Sequence, residues 1–139
     1  MRQMTTLLSI RTERQGLLEI TDPIKKWTHD QAVETGLLTV FCRHTSASLL
    51  IQENAATAVR RDLQAYFARI APEDPSAYEH DDEGPDDMPA HIRTALTQVQ
   101  LSIPIIVGRL TLGSWQGIYL FEHRRRPQSR TLALHLVGE

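Results

Sequence analysis

The sequence predicts an α+β fold, in which helices pack on a mostly antiparallel sheet. Three observations support this prediction. Short β-prone runs follow one another at both ends of the chain, helical patterns lie between them, and strands do not alternate regularly with helices as in a doubly wound parallel sheet. The 139 residues fit one ordinary domain, residues 1–139, and are too few for a (β/α)8 barrel, which needs about 250.

The first elements are two strands and a short helix. The runs TTLLSIRT and GLLEIT are separated by ERQG, which predicts an N-terminal hairpin. A helix should follow, with Asp22 as its N-cap, Pro23 at its first position and Gly36 as its C-terminal stop. Ile24 and Trp27 are spaced to form the buried face of this helix.

The middle of the chain predicts two strands and a longer helix. LLTVFC and ASLLIQ form strands three and four, with Leu49 and Ile51 facing the core and Ser48 and Leu50 facing away from it. Apolar residues then recur at helical spacing and predict an amphipathic helix that packs on the sheet. These residues are Val59, Leu63, Tyr66, Phe67 and Ile70.

A long acidic loop and further strands complete the chain. Residues 71–89 hold four prolines and eight acidic residues with no period, so most of this stretch is predicted to be loop. A helix, AHIRTALTQ, should follow. The last strands are VQLSIPII, RLTLG, GIYLFEH and RTLALHL, joined as hairpins through Gly108 and the turn RRPQSR.

Composition excludes several classes of protein. A formal charge of −2 and the lack of a basic stripe predict no nucleic-acid partner. No apolar run approaches the roughly 20 residues of a bilayer span, and the N-terminal segment is too short for a signal peptide, so we expect a cytoplasmic protein with no membrane partner. The single cysteine, Cys42, lies in an apolar run and is predicted to be a buried small hydrophobe.

Side chains that can bind a metal are concentrated in separate stretches. CRHTSASLLIQEN begins with His44 and ends with Glu53 and Asn54. The acidic loop adds four candidates within twelve positions: His80, Glu83, Asp87 and His91. Imidazole suits zinc and other late first-row metals, and carboxylates suit magnesium or orient the histidines. No HExxH or CxxC motif accompanies them, and a solvated acidic loop remains the alternative.

The third polar stretch is GSWQGIYLFEHRRR. In a strand, Glu122 shares a face with Ile118 and Leu120, so its carboxylate needs a partner. Either Glu122 reaches water at the end of the strand or pairs with Arg124 or Arg130, or it has a functional role. The arginines at 124–126 either bind a phosphate or form an exposed turn.

Three segments together, HTSASLLIQEN, YEHDDEGPDDMPAHI and SIPIIVGRLTLGSWQGIYLFEHR, resemble in order and spacing the YjbQ family, whose members are labelled secondary thiamine-phosphate synthases. Ser114 departs from the family's usual threonine but keeps the hydroxyl. The resemblance implies a compact homotrimer with a site near the subunit interfaces. It implies as metal ligands His44, His80 and His91; as catalytic residues Glu83, Asp87 and Glu122; and as substrate-binding residues Ser46, Asn54, Trp115, Gln116 and Arg124. Glu53 also matches the family motif, without an assigned role.

The implied reaction transfers an aminopyrimidine methyl group to a thiazole phosphate with loss of pyrophosphate. Such a reaction needs a divalent metal, with zinc expected among the histidines and magnesium as the alternative at Glu83 and Asp87. Trp115 would stack on a substrate ring. Two other functions stay open: a small zinc hydrolase, and a non-catalytic trimeric module that binds a small phosphorylated metabolite.

Overall fold

The computed structural model describes residues 1–139 and contains eight strands, three α-helices and one 3-10 helix. The strands are β1 (Arg2–Thr12), β2 (Gly16–Glu19), β3 (Thr35–Cys42), β4 (Ala47–Glu53), β5 (Gln100–Ile106), β6 (Arg109–Leu110), β7 (Gln116–Glu122) and β8 (Gln128–Gly138). The α-helices are α1 (Thr21–Asp30), α2 (Thr57–Ile70) and α3 (Asp87–Leu96), and the 3-10 helix is Pro75–Ala77. No helix has both the length and the apolar character needed to cross a bilayer.

The strands form two antiparallel sheets, which confirms the predicted α+β class. The larger sheet has the order β1-β8-β3-β5-β6, and the smaller has the order β2-β7-β4. Alternate residues of both sheets meet in one core of sixteen buried apolar residues, among them Leu38, Leu49, Leu120, Leu134 and Leu136. Each such side chain contributes about 1.5–3 kcal/mol by leaving water, so this core is the main source of stability.

The smaller sheet is covered on both faces. Ile118 and Leu120 of β7 face the core, while Tyr119 and Phe121 of the same strand are buried on the opposite face of the sheet. There Phe121 meets Phe67 of α2 edge-on, with ring centroids 5.5 Å apart. Ser48 faces away from the core, as predicted, but it is fully buried because the helices cover that face.

The predicted N-terminal hairpin is wrong. β1 pairs with β8 from Arg2↔Gly138 to Thr12↔Gln128, and β2 pairs with β7 in the other sheet. The chain changes sheets at Gly16, whose φ of +127° is readily adopted only by glycine. The local sequence shows where β1 and β2 end, but it does not show which strands they pair with, because the partners lie 100 or more residues away along the chain.

The predicted ends of the first helix are also wrong. α1 begins at Thr21, so Asp22 lies within its first turn, and it ends at Asp30. Gly36 is not the stop of this helix but belongs to β3, opposite Gly138 of β8. A Cβ at Gly36 would lie 2.4 Å from the carbonyl oxygen of Val137, so close backbone packing requires glycine there.

α2 spans the predicted residues, but it packs less deeply than its pattern indicates. None of its residues is buried, and Tyr66 and Ile70 are about half exposed. Phe67 makes its main aromatic contact with the small sheet. The predicted helix and its packing on a sheet are confirmed, although Tyr66 and Ile70 of the predicted apolar face stay about half exposed.

Only one of the two hairpins predicted near the C-terminus forms. β5 and β6 are joined through Val107 and Gly108, which both have positive φ, as a tight two-residue turn requires. β7 and β8 do not pair, because they lie in different sheets. The segment RRPQSR therefore crosses from the small sheet to the large one, and Arg124, directly before it, donates to Asp86 of the acidic loop.

Candidate functional site

Four side chains of the acidic loop and α3 converge on one point. Asp87 and His91 lie one turn apart at the start of α3, and His80 and Glu83 reach them from the loop. One ligand atom from each residue lies within 4.8 Å of the others. The spacing of Asp87 and His91 in the sequence correctly indicated that they share a helix face. We call these four residues the histidine–acid cluster.

The carboxylate of Asp87 is the centre of this cluster. Its Oδ2 atom lies 2.9 Å from His80 Nε2 and 3.1 Å from His91 Nε2. Glu83 Oε2 lies 3.4 Å from the same nitrogen of His80. Asp87 is buried, whereas His80 and Glu83 are exposed, so the cluster opens to solvent on the loop side.

The tautomer of His91 is fixed by the backbone. Its Nδ1 lies 2.9 Å from the carbonyl oxygen of Thr45, which can only accept, so Nδ1 carries a proton and donates it. In the neutral ring Nε2 then presents a lone pair toward Asp87 Oδ2, which is also an acceptor. Two acceptors at this distance require a cation between them, either a proton or a metal ion. Metal-binding histidines are oriented by this kind of Nδ1 hydrogen bond.

Hydrogen bonds and charges around the cluster hold Asp87 and the neighbouring Asp86 ionised. Burial acts to raise the pKa of Asp87, but the hydrogen bonds with His80 and Glu83 and the charge of Arg124 outweigh it, and the pKa lies below its ordinary value. Burial likewise opposes ionisation of Asp86, whose pKa is nevertheless lowered by the Arg125 amide and the Arg124 side chain. The hydrogen bond to Asp87 raises the pKa of His80.

Arg124 binds the protein's own acids. It donates to Asp86 Oδ2 at 3.1 Å, to Asp87 Oδ1 at 2.6 Å and to the carbonyl oxygen of Glu83 at 3.0 Å. Arg125 pairs with Glu73, and Arg126 has no ion-pair partner. A cavity of about 490 Å³ lies between residues 83–86 and these three arginines. Arg126 is therefore the arginine free to bind an anion beside the cluster.

A second cluster of polar side chains links the two sheets, at the same end of the molecule as the histidine–acid cluster. The buried Glu122 of β7 pairs with the buried Arg130 of β8 and accepts from Thr12 Oγ1 at 2.6 Å. Arg130 also donates to Ser46 Oγ at 3.0 Å. His44 lies beside this group, where its Nε2 accepts the Thr131 amide at 2.8 Å. Burial and then the charge of Arg130 lower the pKa of His44.

The predicted site residues therefore separate within one chain. His44 is not part of the histidine–acid cluster, although it lines a cavity of about 460 Å³ together with His91. Glu122 touches the cluster only indirectly, by accepting the backbone N–H of Arg124 at 3.1 Å. Ser46 is held by Arg130, and Arg124 by Asp86 and Asp87.

The remaining predicted residues lie at the opposite end of the small sheet. Because β4 and β7 are antiparallel, Ala47 pairs with Glu122 and Glu53 pairs with Gln116, about 20 Å away at the usual strand rise. Asn54 donates to Glu19 at 3.4 Å, and Trp115 is 66% exposed. A single chain does not bring this end to the histidine–acid cluster.

Comparison with known proteins identifies the family. A family model described as UPF0047 protein YjbQ-like matches residues 6–139. The chain belongs to this family. UPF0047 protein sll1880 of Synechocystis sp. is 51% identical over 138 residues, which cover 99% of this chain and 94% of that protein. UPF0047 protein YjbQ of Salmonella typhimurium is 44% identical over 133 residues, covering 95% and 96%.

Solved structures support the same assignment. An uncharacterised conserved protein of the YjbQ/UPF0047 family from Clostridium acetobutylicum superposes with a TM-score of 0.86 at 32% identity, covering 95% of this chain and 99% of that one. Hypothetical protein APE1520 of Aeropyrum pernix K1 gives 0.88 at 27% identity, covering 98% and 99%. The predicted family and the predicted α+β fold are both confirmed.

Two parts of this YjbQ-like site were not predicted from the sequence. Asp86 binds Arg124 and the Arg125 amide, but in the run of acids nothing distinguishes it from its exposed neighbours. The buried Ser48 and His123 form the second part: Ser48 Oγ lies 2.9 Å from His123 Nε2 and accepts from Thr97 Oγ1. Alternation along β7 places His123 on the same face as Phe121, which was the available signal.

The buried His123 should make this YjbQ-like protein less stable in acid. Burial, with the charges of Arg93 and Arg130, lowers its pKa to about 3. Between pH 6.5 and 3 the unfolded chain therefore binds the proton that the folded chain excludes. The free energy of unfolding should fall with decreasing pH, by about 1.4 kcal/mol per unit from this group. Urea denaturation of the parent protein and of His123→Gln across this pH range measures the effect. If the free energy of unfolding changes equally with pH in both proteins, His123 is not its source.

Proposed function

We propose that the histidine–acid cluster binds a divalent metal ion, zinc in the first place, and that the loaded site acts on a small phosphorylated metabolite. The observation that carries this proposal is the pair of acceptors His91 Nε2 and Asp87 Oδ2, 3.1 Å apart with the tautomer of His91 fixed by Thr45. A metal ion bound by both atoms satisfies both lone pairs, and it would use the Nδ1 hydrogen bond to Thr45 to orient the ring.

The donor atoms fit zinc in kind and in spacing. Two imidazole nitrogens and one or two carboxylate oxygens make a nitrogen and oxygen set that zinc accepts. If the exposed Glu83 does not bind the ion, its position stays open for water or substrate. Ligands about 2.0–2.1 Å from a tetrahedral ion are about 3.4 Å from one another. Three of the contacts, His80 to Asp87, His91 to Asp87 and His80 to Glu83, are 2.9–3.4 Å long, and all four ligand atoms lie within 4.8 Å of one another, so binding of the ion would need small side-chain shifts. Magnesium is the alternative if the carboxylates dominate.

The arginines beside the cluster support a phosphorylated substrate. The 490 Å³ cavity next to Glu83 and Asp86 is lined by Arg124, Arg125 and Arg126, of which Arg126 is unpaired. A guanidinium group matches the geometry of phosphate oxygens and is always charged. A substrate whose phosphate rests on Arg126 would present its neighbouring bond to the histidine–acid cluster.

The reaction we propose is the transfer that the resemblance to the YjbQ family implies. The thiazole nitrogen forms a bond to the methylene carbon of the aminopyrimidine, and the bond from that carbon to the diphosphate oxygen breaks with its electron pair, releasing pyrophosphate. A bound metal would stabilise the negative charge of the leaving group. Arg126 would neutralise the diphosphate, and Arg124 would keep Asp86 and Asp87 in place.

Two other functions would use the same residues. In a zinc hydrolase, the ion held by His80, Asp87 and His91 would lower the pKa of a water positioned to attack the phosphate ester, and the exposed Glu83, 3.4 Å from His80, would accept its proton. In a non-catalytic module the pocket retains a phosphorylated metabolite without turnover. The transferase releases pyrophosphate and forms a carbon–nitrogen bond, the hydrolase releases phosphate alone, and the binding module binds tightly and releases neither.

We further propose that the protein works as a homotrimer in the cytoplasm. The outer face of the large sheet carries four exposed apolar side chains, Leu7, Leu37, Phe41 and Ile106. The register Leu7↔Ala133↔Phe41 places two of them in one row across β1, β8 and β3. An apolar patch of this kind on a sheet is typical of a contact between copies. Neighbouring copies would also supply a way to bring Trp115 and Asn54 near the cluster of another chain.

Metal analysis of three proteins tests the site. The parent protein, His91→Ala and His44→Ala are purified without a chelating tag or added metal, and metal is measured per chain. We expect about one zinc per chain in the parent, none in His91→Ala, and an unchanged content in His44→Ala, since His44 Nε2 already accepts the Thr131 amide.

A parent protein without metal, loaded by neither zinc nor magnesium on titration, would contradict the metal site. Equal loss in His44→Ala and His91→Ala would move the site to the cavity that these two histidines share. The loaded protein is then assayed for thiamine phosphate, pyrophosphate and phosphate, with Arg126→Ala as the variant that loses activity while it keeps the metal.

A further inference from the structure

A second basic cavity lies away from the histidine–acid cluster. It occupies about 400 Å³ between the turn that joins β1 to β2 and the first half of α2. Four arginines line it, Arg11 from the end of β1, Arg14 from the turn, and Arg60 and Arg61 from the helix. Glu13 is the only acidic residue in its wall. Three positive charges are therefore in excess here, although the whole chain carries a formal charge of −2.

The protein itself satisfies these guanidinium groups poorly. Arg14 has no hydrogen-bond or ion-pair partner, and Arg61 makes only a 3.4 Å contact with Thr57 Oγ1. The guanidinium group of Arg60 lies over the Tyr119 ring, 5.0 Å from its centroid, but its Nε atom is buried without a partner and the nearest carboxylate, that of Glu19, is 3.8 Å away. Arg11 pairs with Glu13 at the exposed rim. Like charges held close together with free donors favour binding of an anion.

We propose that this arginine cavity binds the diphosphate group of a small organic molecule. A diphosphate carries up to three negative charges at neutral pH, which balances the excess in the wall, and its oxygens match guanidinium donors. Leu17 and Leu18 supply apolar surface beside the arginines. The volume lies in the usual range of about 300–1,000 Å³ for sites of small molecules.

The arginine cavity is separate from the metal site. None of its lining residues belongs to the histidine–acid cluster or to the cavity of Arg124 to Arg126. It lies next to Glu122, because Gly16 pairs with that residue and Thr12 donates to its carboxylate. Binding here thus needs no metal, and it holds whether or not the proposed reaction is correct.

Calorimetric titration with inorganic pyrophosphate in excess EDTA tests the proposal. EDTA removes divalent metal, so the histidine–acid cluster cannot contribute through an ion. We expect one saturable site per chain, with an affinity about tenfold lower in Arg14→Ala and in Arg61→Ala, since each loses a charged hydrogen bond. Both side chains are exposed, so these variants should fold, and circular dichroism checks this.

The control is Arg69→Ala, which removes an exposed arginine of the same helix outside the cavity. It should bind pyrophosphate like the parent protein. Absence of saturable binding in the parent, or an equal loss in Arg69→Ala, would overturn the arginine cavity as a site. A loss confined to Arg126→Ala would place the anion at the metal site instead. Tighter binding of a single-stranded oligonucleotide than of pyrophosphate would overturn the small-molecule ligand.

Discussion

Replacing Glu122 by alanine is expected to lower the free energy of unfolding by about 3–5 kcal/mol, because it leaves a buried charge without its partner. Glu122 and Arg130 are 1% and 4% exposed. The carboxylate accepts from Arg130, from Thr12 Oγ1 and from the backbone N–H groups of His123 and Arg124. Urea denaturation at a fixed protein concentration measures the change.

A matched control isolates the effect of burial. Asp30→Ala removes the ion pair that Asp30 makes with Lys26 at 2.9 Å on the exposed face of α1. It should change stability by no more than about 0.5 kcal/mol, as is usual for exposed pairs one helical turn apart. Replacing Glu122 and Arg130 together by leucine should recover part of the loss, since no unpaired charge then remains.

The result also decides between two roles of Glu122. If Glu122→Ala is destabilised as expected, the carboxylate holds the two sheets together and orients Arg124 through its backbone N–H. If the variant is as stable as the parent but inactive, the carboxylate takes part in the chemistry. The sequence left these alternatives open, because strand alternation shows that Glu122 faces the core but not which arginine meets it.

Features encoded by a few consecutive residues, such as a helix or an irregular loop, could be predicted from the sequence, whereas the pairing of distant strands could not. The helix spacing of α2 and the irregular acidic loop were correctly placed because periodicity and proline content act over a few residues. The pairing of β1 with β8 was missed, since the strongest short-range cue, two strands separated by ERQG, favoured a hairpin. Gly36 misled for a related reason: glycine marks a helix end and also a close approach of two strands.

The candidate site shows the same division. Asp87 and His91 could be placed together because four residues of helix bring them to one face. His44 could not be separated from them by sequence, since its position depends on the Thr131 amide of a strand 87 residues away. Glu122 and Gln116 lie at opposite ends of β7, and the antiparallel pairing with β4 places Glu53 and Asn54 at the Gln116 end. The polar motifs in the sequence do not reveal which strands pair, so this separation could not be predicted.

Replacing Phe41 by glutamate should dissociate the proposed homotrimer. Phe41 is 45% exposed at the centre of the outer face of the large sheet, beside Ala133 in the register that leads to Leu7. A carboxylate introduced there would be buried without a partner at each contact between copies, which costs several kcal/mol per site. In native mass spectrometry the variant should have one third of the mass of the parent assembly.

The control for this variant is Tyr66→Glu, which places the same charge on α2, where Tyr66 is 50% exposed. The sheet-face contact predicts that Tyr66→Glu remains trimeric. Dissociation by Tyr66→Glu alone would move the contact to the apolar side of α2, and a monomeric parent would contradict the trimer itself. Metal content measured in the dissociated Phe41→Glu protein separates assembly from the site: retained zinc would mean that one chain supplies all the ligands, as the arrangement of His80, Asp87 and His91 indicates.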